Sequence, residues 1–292
     1  MPQPTTPEAL RLHRLIEPIH AVTYFHKRSA DALADLGLRG FWMGYFASRS
    51  APLGQCSPAL AEATFYNFAP KLVRRALPDA WNFASPEEVI EARASGAAAA
   101  LAELCPGLES EVTRFLPLLE SAARAARCEG KPLAACNAAL AARSLPLERL
   151  WMATTILREH RGDCHVAALV AHEIGGLESH LLRIGSSTST EPIEEQRTLI
   201  TGARAWTHEE WDRAQSALVE RKMLHADGSC TSLGNQLHAH IEESTNNSAL
   251  QPYHDGLAPE GRELLAMLMR QTAQAIWNSG SIPAVNPMGL TQ

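Results

Sequence analysis

Histidines at positions 13 and 20 and a tyrosine at 24 are spaced seven and four apart, which places His13, His20 and Tyr24 on one face of a helix. Such a row can move protons as general acid and base, or ligate a metal or haem through imidazole nitrogen. A hydrogen-bonded contact between helices is the plainer reading of the same spacing. His20 and Tyr24 are the candidates for proton transfer. A second group lies in RGFWMGYF with Arg49 close behind, followed by FYNF; it supplies Arg39, Trp42, Tyr45, Arg49, Tyr66 and Asn67. Aromatic rings with a few polar groups among them are what a small-molecule pocket is made of, and an aromatic core is the alternative. The third group is HRGDCH, residues 160–165. Asp163 and His165 could form an acid–base pair, with Cys164 a thiol nucleophile beside them. Asp163 is explained equally well as a helix N-cap.

No HExxH, GxSxG, Walker or GxGxxG pattern is present, so the sequence points to no named enzyme class. Neither a cofactor nor a metal is identified, and whether the histidines hold haem, another metal or nothing stays open.

These residues must be positioned by helices. An apolar helical period over 8–25 carries the first group, with Pro18 inside it to kink it or divide it in two. A short helix is expected over 29–36. The apolar stretch LRGFWMGYFAS ends at Ala51-Pro52-Leu53-Gly54, and two further short helices follow. Ser85-Pro86-Glu87-Glu88 opens a long alanine-rich helix to about Leu104. Later, LWMATTILREH stops at Arg161-Gly162, Asp163 caps a short helix packing Val166, Leu169 and Val170, and Gly175-Gly176 turn the chain into another. Helix, tight glycine turn and helix are the parts of a helix-turn-helix. Thr207 then caps a recognition-type helix, and Asp227-Gly228 predicts a β-hairpin, a small wing. A last helix spans 259–278.

The order repeats. FWMGYFASRSAPLG, SPALAEATFYNF and PKLVRRA stand in sequence as LWMATTILREHRGD, CHVAALVAHEIGG and LESHLLRI do. SPEEVIEAR matches THEEWDRAQ, and Pro18 in LIEPIHAV matches Pro117 in FLPLLESA. A divergent internal duplication follows: units over 8–105 and 108–250, with 251–292 as a C-terminal helix and tail.

With 292 residues and 46% hydrophobic content the chain can bury a large core. A mean hydropathy of -0.14 and the absence of an apolar run of ~20 residues argue against membrane spans. The N-terminal residues lack the features of a signal peptide. Six cysteines in no framework spacing read as scattered, buried thiols of a cytoplasmic protein. The net charge is -6, and residues 150–250 hold all of that excess, with 14 acidic against 8 basic side chains. DNA-gripping proteins neutralise phosphates with Lys and Arg, so DNA is an unexpected partner.

The recognition-type helix ending in ERKML, the DG turn and TSLGNQLHAHIEE resemble the winged-helix domains of the MarR superfamily over 150–244. HRGD-x-HVAALV and FWMGYFA-x-R-x-APLG are similar to a bacterial, mainly actinobacterial, family of tandem winged-helix-like proteins. The resemblance implies a mainly α fold of two winged-helix-like units forming a pseudo-dimer, the small β-wing in the second. It implies a ligand-responsive transcription regulator as one function. The charge pattern favours a small-molecule binder, or an enzyme using a pocket between the units, on a scaffold that has lost DNA binding. Such a chain would be a monomer acting as a pseudo-dimer, or a homodimer.

Overall fold

The computed structural model describes residues 6–189, 192–284 and 286. Helices account for nearly all regular structure among them. In chain order they are α1 Thr6–Phe25, α2 Lys27–Ala34, α3 Gly40–Ser50, α4 Pro58–Thr64 and α5 Pro70–Ala76. Next come α6 Pro86–Leu104, α7 Leu108–Glu111, α8 Leu116–Arg124, α9 Pro132–Ala138 and α10 Pro146–Ala171. The C-terminal series is α11 Gly176–Gly185, α12 Ile193–Arg204, α13 His208–Glu220, α14 Ser232–Ala249, α15 Gln251–Gly256 and α16 Pro259–Asn278.

The chain divides into two compact units that are not consecutive stretches. Unit 1 takes the chain up to Ser57, then Ala76–Cys164, then Asn246 onward; unit 2 takes Pro58–Arg75 and His165–Thr245.

Unit 1 is built where α1 packs on α6 and α16, and α15 on α8. Its core includes Ile19, Leu101, Leu119, Leu150, Trp151 and Leu265, each 1% exposed or less. Burying one such aliphatic side chain contributes about 1.5–3 kcal/mol. Helix α1 runs unbroken through Pro18, which is itself buried, so the proline does not divide it. Pro117 instead sits at the start of α8, where its missing N–H costs nothing. The two prolines therefore occupy different places in their helices. Ser85 caps α6 in a full capping box with Glu88, as its sequence predicts.

The expected break at Arg161-Gly162 is absent: α10 continues to Ala171. A helix-interior glycine costs only about 1 kcal/mol, less than the packing of the side chains on either side supplies. Leu169 is buried as expected, but Val170 is 56% exposed and Val166 only half-buried.

Unit 2 packs α11 against α12 and α13 over Leu169, Ile174, Leu182, Ile200, Trp211 and Leu218. Helix α12, which the sequence patterning misses, joins α13 through residues 205–207, with Ala205 left-handed (φ 59°). This short-turned pair has the connectivity of a helix-turn-helix. Thr207 completes a second capping box with Glu210. The expected β-wing is not formed as strands. Among the described residues it is one isolated antiparallel bridge, Leu224 to Cys230, closed by the turn at Asp227-Gly228, where Gly228 has φ 86°. Two-stranded ribbons this short have too few ladder bonds to persist.

Candidate functional site

Four helices of unit 1 bring charged and aromatic side chains into its interior. On α1, Glu17, His20 and Tyr24 follow His13 down one face. On α10, Trp151, Thr155, Arg158 and Glu159 do the same, while α3 adds Tyr45 and Arg49 and α6 adds Arg93.

Glu159, 2% exposed, is at the centre. Arg49 grips it through both ends of the guanidinium, with Nη2 2.8 Å from Oε2 and Nε 3.2 Å from Oε1. Arg158 Nη1 donates to Oε2 at 2.9 Å, and its Nε lies 3.5 Å from Glu17 Oε1. Burial disfavours the Glu159 charge, but the two arginines overcome it and hold the carboxyl at about 2. Burial likewise opposes the Arg49 charge, and Glu159 keeps it firmly protonated. Arg49 Nη1 also donates to the Tyr45 hydroxyl at 3.0 Å.

A chain of neutral hydrogen bonds runs alongside. The Thr155 hydroxyl donates to the Trp151 carbonyl at 2.8 Å. Its oxygen is then an acceptor for His20 Nδ1–H at 3.0 Å. This network assigns the tautomer, so His20 Nε2 bears the lone pair and accepts from the Tyr24 hydroxyl at 2.9 Å. The imidazole stacks on Trp151 at 6.0 Å between centroids, and Trp151 Nε1 donates to the His20 carbonyl at 3.2 Å. Burial, reinforced by Arg158, lowers the His20 pKa to about 3, and burial raises that of Tyr24. Both are held neutral. Both ring nitrogens of His20 are engaged in hydrogen bonds.

Toward the surface the network meets aromatic rings. Tyr24 and Tyr45 are 5.1 Å apart, Trp42 and Tyr45 5.5 Å, and Phe41 and Trp42 4.9 Å. Phe41 is 54% exposed; Trp42 and Tyr45 are half-buried. This arrangement offers flat apolar contact outside and fixed charge behind it.

Of the sequence candidates, His20, Tyr24, Trp42, Tyr45 and Arg49 come together here. Arg39 does not: it is exposed at the start of α3, its guanidinium 4.6 Å from the centre of the Phe83 ring. Asp163 and His165 form no pair, because residues two apart on the continuous α10 face different ways. Asp163 is a cap, but not of its own helix. Its Oδ2 accepts from Ala134 N at 2.9 Å, in the first turn of α9. Burial raises its pKa to about 6. Cys164 Sγ lies 3.9 Å from His160 Nδ1, and burial pushes the thiol up to about 11, the reverse of an activated nucleophile. His165 belongs to unit 2, where Nδ1 lies 3.1 Å from Thr245 Oγ1.

Tyr66 and Asn67 also belong to unit 2 and tie 58–75 to α11. The Tyr66 hydroxyl donates to the Ile174 carbonyl at 2.8 Å, and Asn67 Nδ2 donates to Ser179 Oγ at 2.7 Å. A Cβ on Gly176 would stand 1.8 Å from the Tyr66 carbonyl oxygen, so only glycine permits this approach.

Glu17, Arg93, Thr155, Arg158 and Glu159 are not among the residues that type and spacing single out in the sequence. The signal was there: Glu17 interrupts LIEPIHAV three residues before His20, and Arg158-Glu159 follow Trp151 and Thr155 at helical spacing. Charges on an otherwise apolar face must find each other.

Among the described residues no group of three or more His, Cys, Asp or Glu side chains could hold a metal ion. No helix there is long and apolar enough to cross a membrane. All six cysteines are free; Cys128 and Cys136 are only half-buried. A family model described as a helix-turn-helix family matches residues 9–283, nearly the whole chain, and the chain belongs to that family. Comparisons with curated proteins and with solved structures return no match.

Proposed function

We propose that this member of a helix-turn-helix family is a small-molecule-binding protein whose ligand lies against Trp42, Tyr45, Tyr24 and Arg49 of unit 1. One observation carries the reading: a largely buried network of Arg49, Arg158, Glu159 and Glu17 adjoins the half-buried rings of Tyr45 and Trp42. Buried ion networks contribute little or nothing to stability compared with apolar packing of the same volume. One kept beside exposed aromatics serves recognition, with flat rings for contact and fixed donors for orientation. An enzyme at this site is the weaker reading, since His20 and Tyr24 are both held neutral and far from the pKa that proton transfer at neutral pH favours. The kinship with MarR-type winged helices and with tandem actinobacterial proteins, and the duplication over 8–105 and 108–250, belong to this proposal. The two capping boxes, at Ser85 and Thr207, support the duplication.

A ligand-responsive DNA regulator is the second reading, and the α12–α13 pair favours it. Against it stand the exposed charges of α13: Glu209, Asp212 and Glu220 outnumber Arg213. The test is a thermal-shift screen of small molecules beside an anisotropy titration with duplex DNA. Stabilising compounds with only weak, salt-sensitive DNA association support the binder. Specific DNA binding in the nanomolar range, the ordinary scale for regulators, would establish the regulator instead.

A further inference from the structure

Two histidines of unit 2 are engaged by hydrogen bonds: His165 Nδ1 lies 3.1 Å from Thr245 Oγ1, and His180 Nε2 lies 3.3 Å from the Asn67 carbonyl. His172 and His240 meet each other instead. Their ring centres are 5.1 Å apart and their planes are inclined at 85°. Among the described residues neither ring has a hydrogen-bond partner. Both reach solvent, His172 half-buried and His240 exposed.

Backbone and core fix where the two side chains start. His172 directly follows the 26-residue α10 and donates its N–H to the Leu169 carbonyl at 3.1 Å. Leu169 and Ile174, on either side of it, are 2% and 0% exposed. His240 lies in α14 beside Ile241, which is also 2% exposed. His172 is seven residues beyond His165, and His240 is five before Thr245. The two helices therefore run antiparallel here, and the imidazole pair extends the contact that His165 and Thr245 begin.

Two imidazoles bound at about 2.1 Å to one tetrahedral ion have ring centres about 5 Å apart. His172 and His240 have that spacing. Rotation about each metal–nitrogen bond leaves the ring planes free, so their inclination of 85° fits as well. A cation is further favoured beside His172 because the last carbonyls of α10 form the negative end of its dipole. Imidazole nitrogen suits zinc, nickel and copper, whereas magnesium and calcium take oxygen ligands.

We propose that His172 and His240 form a site for a divalent transition-metal ion of the zinc and nickel class. The imidazoles supply two ligands and water the rest, in keeping with no group of three His, Cys, Asp or Glu among the described residues. The ion ties the end of α10 to α14 within unit 2. The proposal is independent of the small-molecule reading, which concerns unit 1.

The test titrates the untagged, chelator-treated full chain with zinc, nickel and magnesium chlorides by isothermal calorimetry. One zinc or nickel ion per chain is expected, and no magnesium. His240→Gln and His172→Gln should each weaken nickel binding at least tenfold, since losing even an outer-shell partner of a metal ligand costs about 10–100-fold. His208→Gln, at an exposed histidine of the same unit, should leave binding unchanged. His240 is exposed, so its variant keeps the fold, and circular dichroism checks this. Absence of zinc and nickel binding, or equal binding by His240→Gln and wild type, overturns the site. An equal loss in His208→Gln overturns it too, by placing the ion elsewhere.

Discussion

His20 Nε2 accepts the Tyr24 hydroxyl proton at 2.9 Å, one turn along the same helix. The bond can form this way only because Thr155 fixes the other nitrogen as N–H. The pair is thus a neutral phenol on a neutral imidazole, and its stability depends on pH.

The His20 pKa is about 3 in the fold against an ordinary 6.5. The unfolded chain therefore binds the extra proton between those values. Stability from this group is fully present above about 6.5 and is lost as pH falls toward 3. Denaturant unfolding from pH 7.5 to 5 should show that decline, and His20→Gln should flatten it by about 1.4 kcal/mol per pH unit at most. His160 and His180, lowered by burial to about 4 and about 3, keep part of the slope in the variant. An identical pH slope in wild type and variant would show that His20 is not held neutral.

The Arg49–Glu159 pair is the firmest contact of the network, with side chains 11% and 3% exposed. Arg49→Met alone should destabilise unit 1 by about 3–5 kcal/mol, because it leaves Glu159 with one arginine in place of two. Arg49→Met with Glu159→Leu should recover part of that loss, because Arg158 then keeps only Glu17 as a carboxylate partner. Urea unfolding of the single and double variants measures it. A double variant less stable than both singles would mean that the pair holds the fold rather than the site.

Asp163 titrates in the opposite sense. Its pKa is raised by burial to about 6 from 3.8, so its favourable contribution exists below about 4 and disappears as pH rises through 6. Asp163→Asn keeps an acceptor for Ala134 N and removes the buried charge. It should be more stable than wild type at pH 8 by about 1–3 kcal/mol, with the gain vanishing near pH 4. Asp163→Ala, which loses the acceptor, should forfeit about 1 kcal/mol of that. Thermal melts across this range decide; a variant without pH-dependent gain contradicts the assignment.

The helical character, the capping boxes at Ser85 and Thr207 and the last helix were legible because caps and apolar period act locally. What failed depended on distant partners. Gly162 and Asp163 carry every local sign of a helix boundary, yet the capped helix is α9, 29 residues earlier in the chain. Tyr66 and Asn67 look like pocket residues by type, but Gly176 lets their backbone approach and they serve as ties within unit 2. The wing signal at Asp227-Gly228 was real as a turn and too short to make strands. The histidine–tyrosine spacing on α1 marks a face where buried charges gather, and those charges are hidden in the sequence because nothing local distinguishes Arg158-Glu159 from an ordinary surface pair.

The most direct measurement is a crystal structure of the full chain with the tightest compound from the thermal-shift screen. The account predicts ligand density in unit 1, packed on Tyr45 and Trp42 and within hydrogen-bond reach of Arg49. Density in unit 2 alone, or in unit 1 away from Tyr45, Trp42 and Arg49, would contradict it.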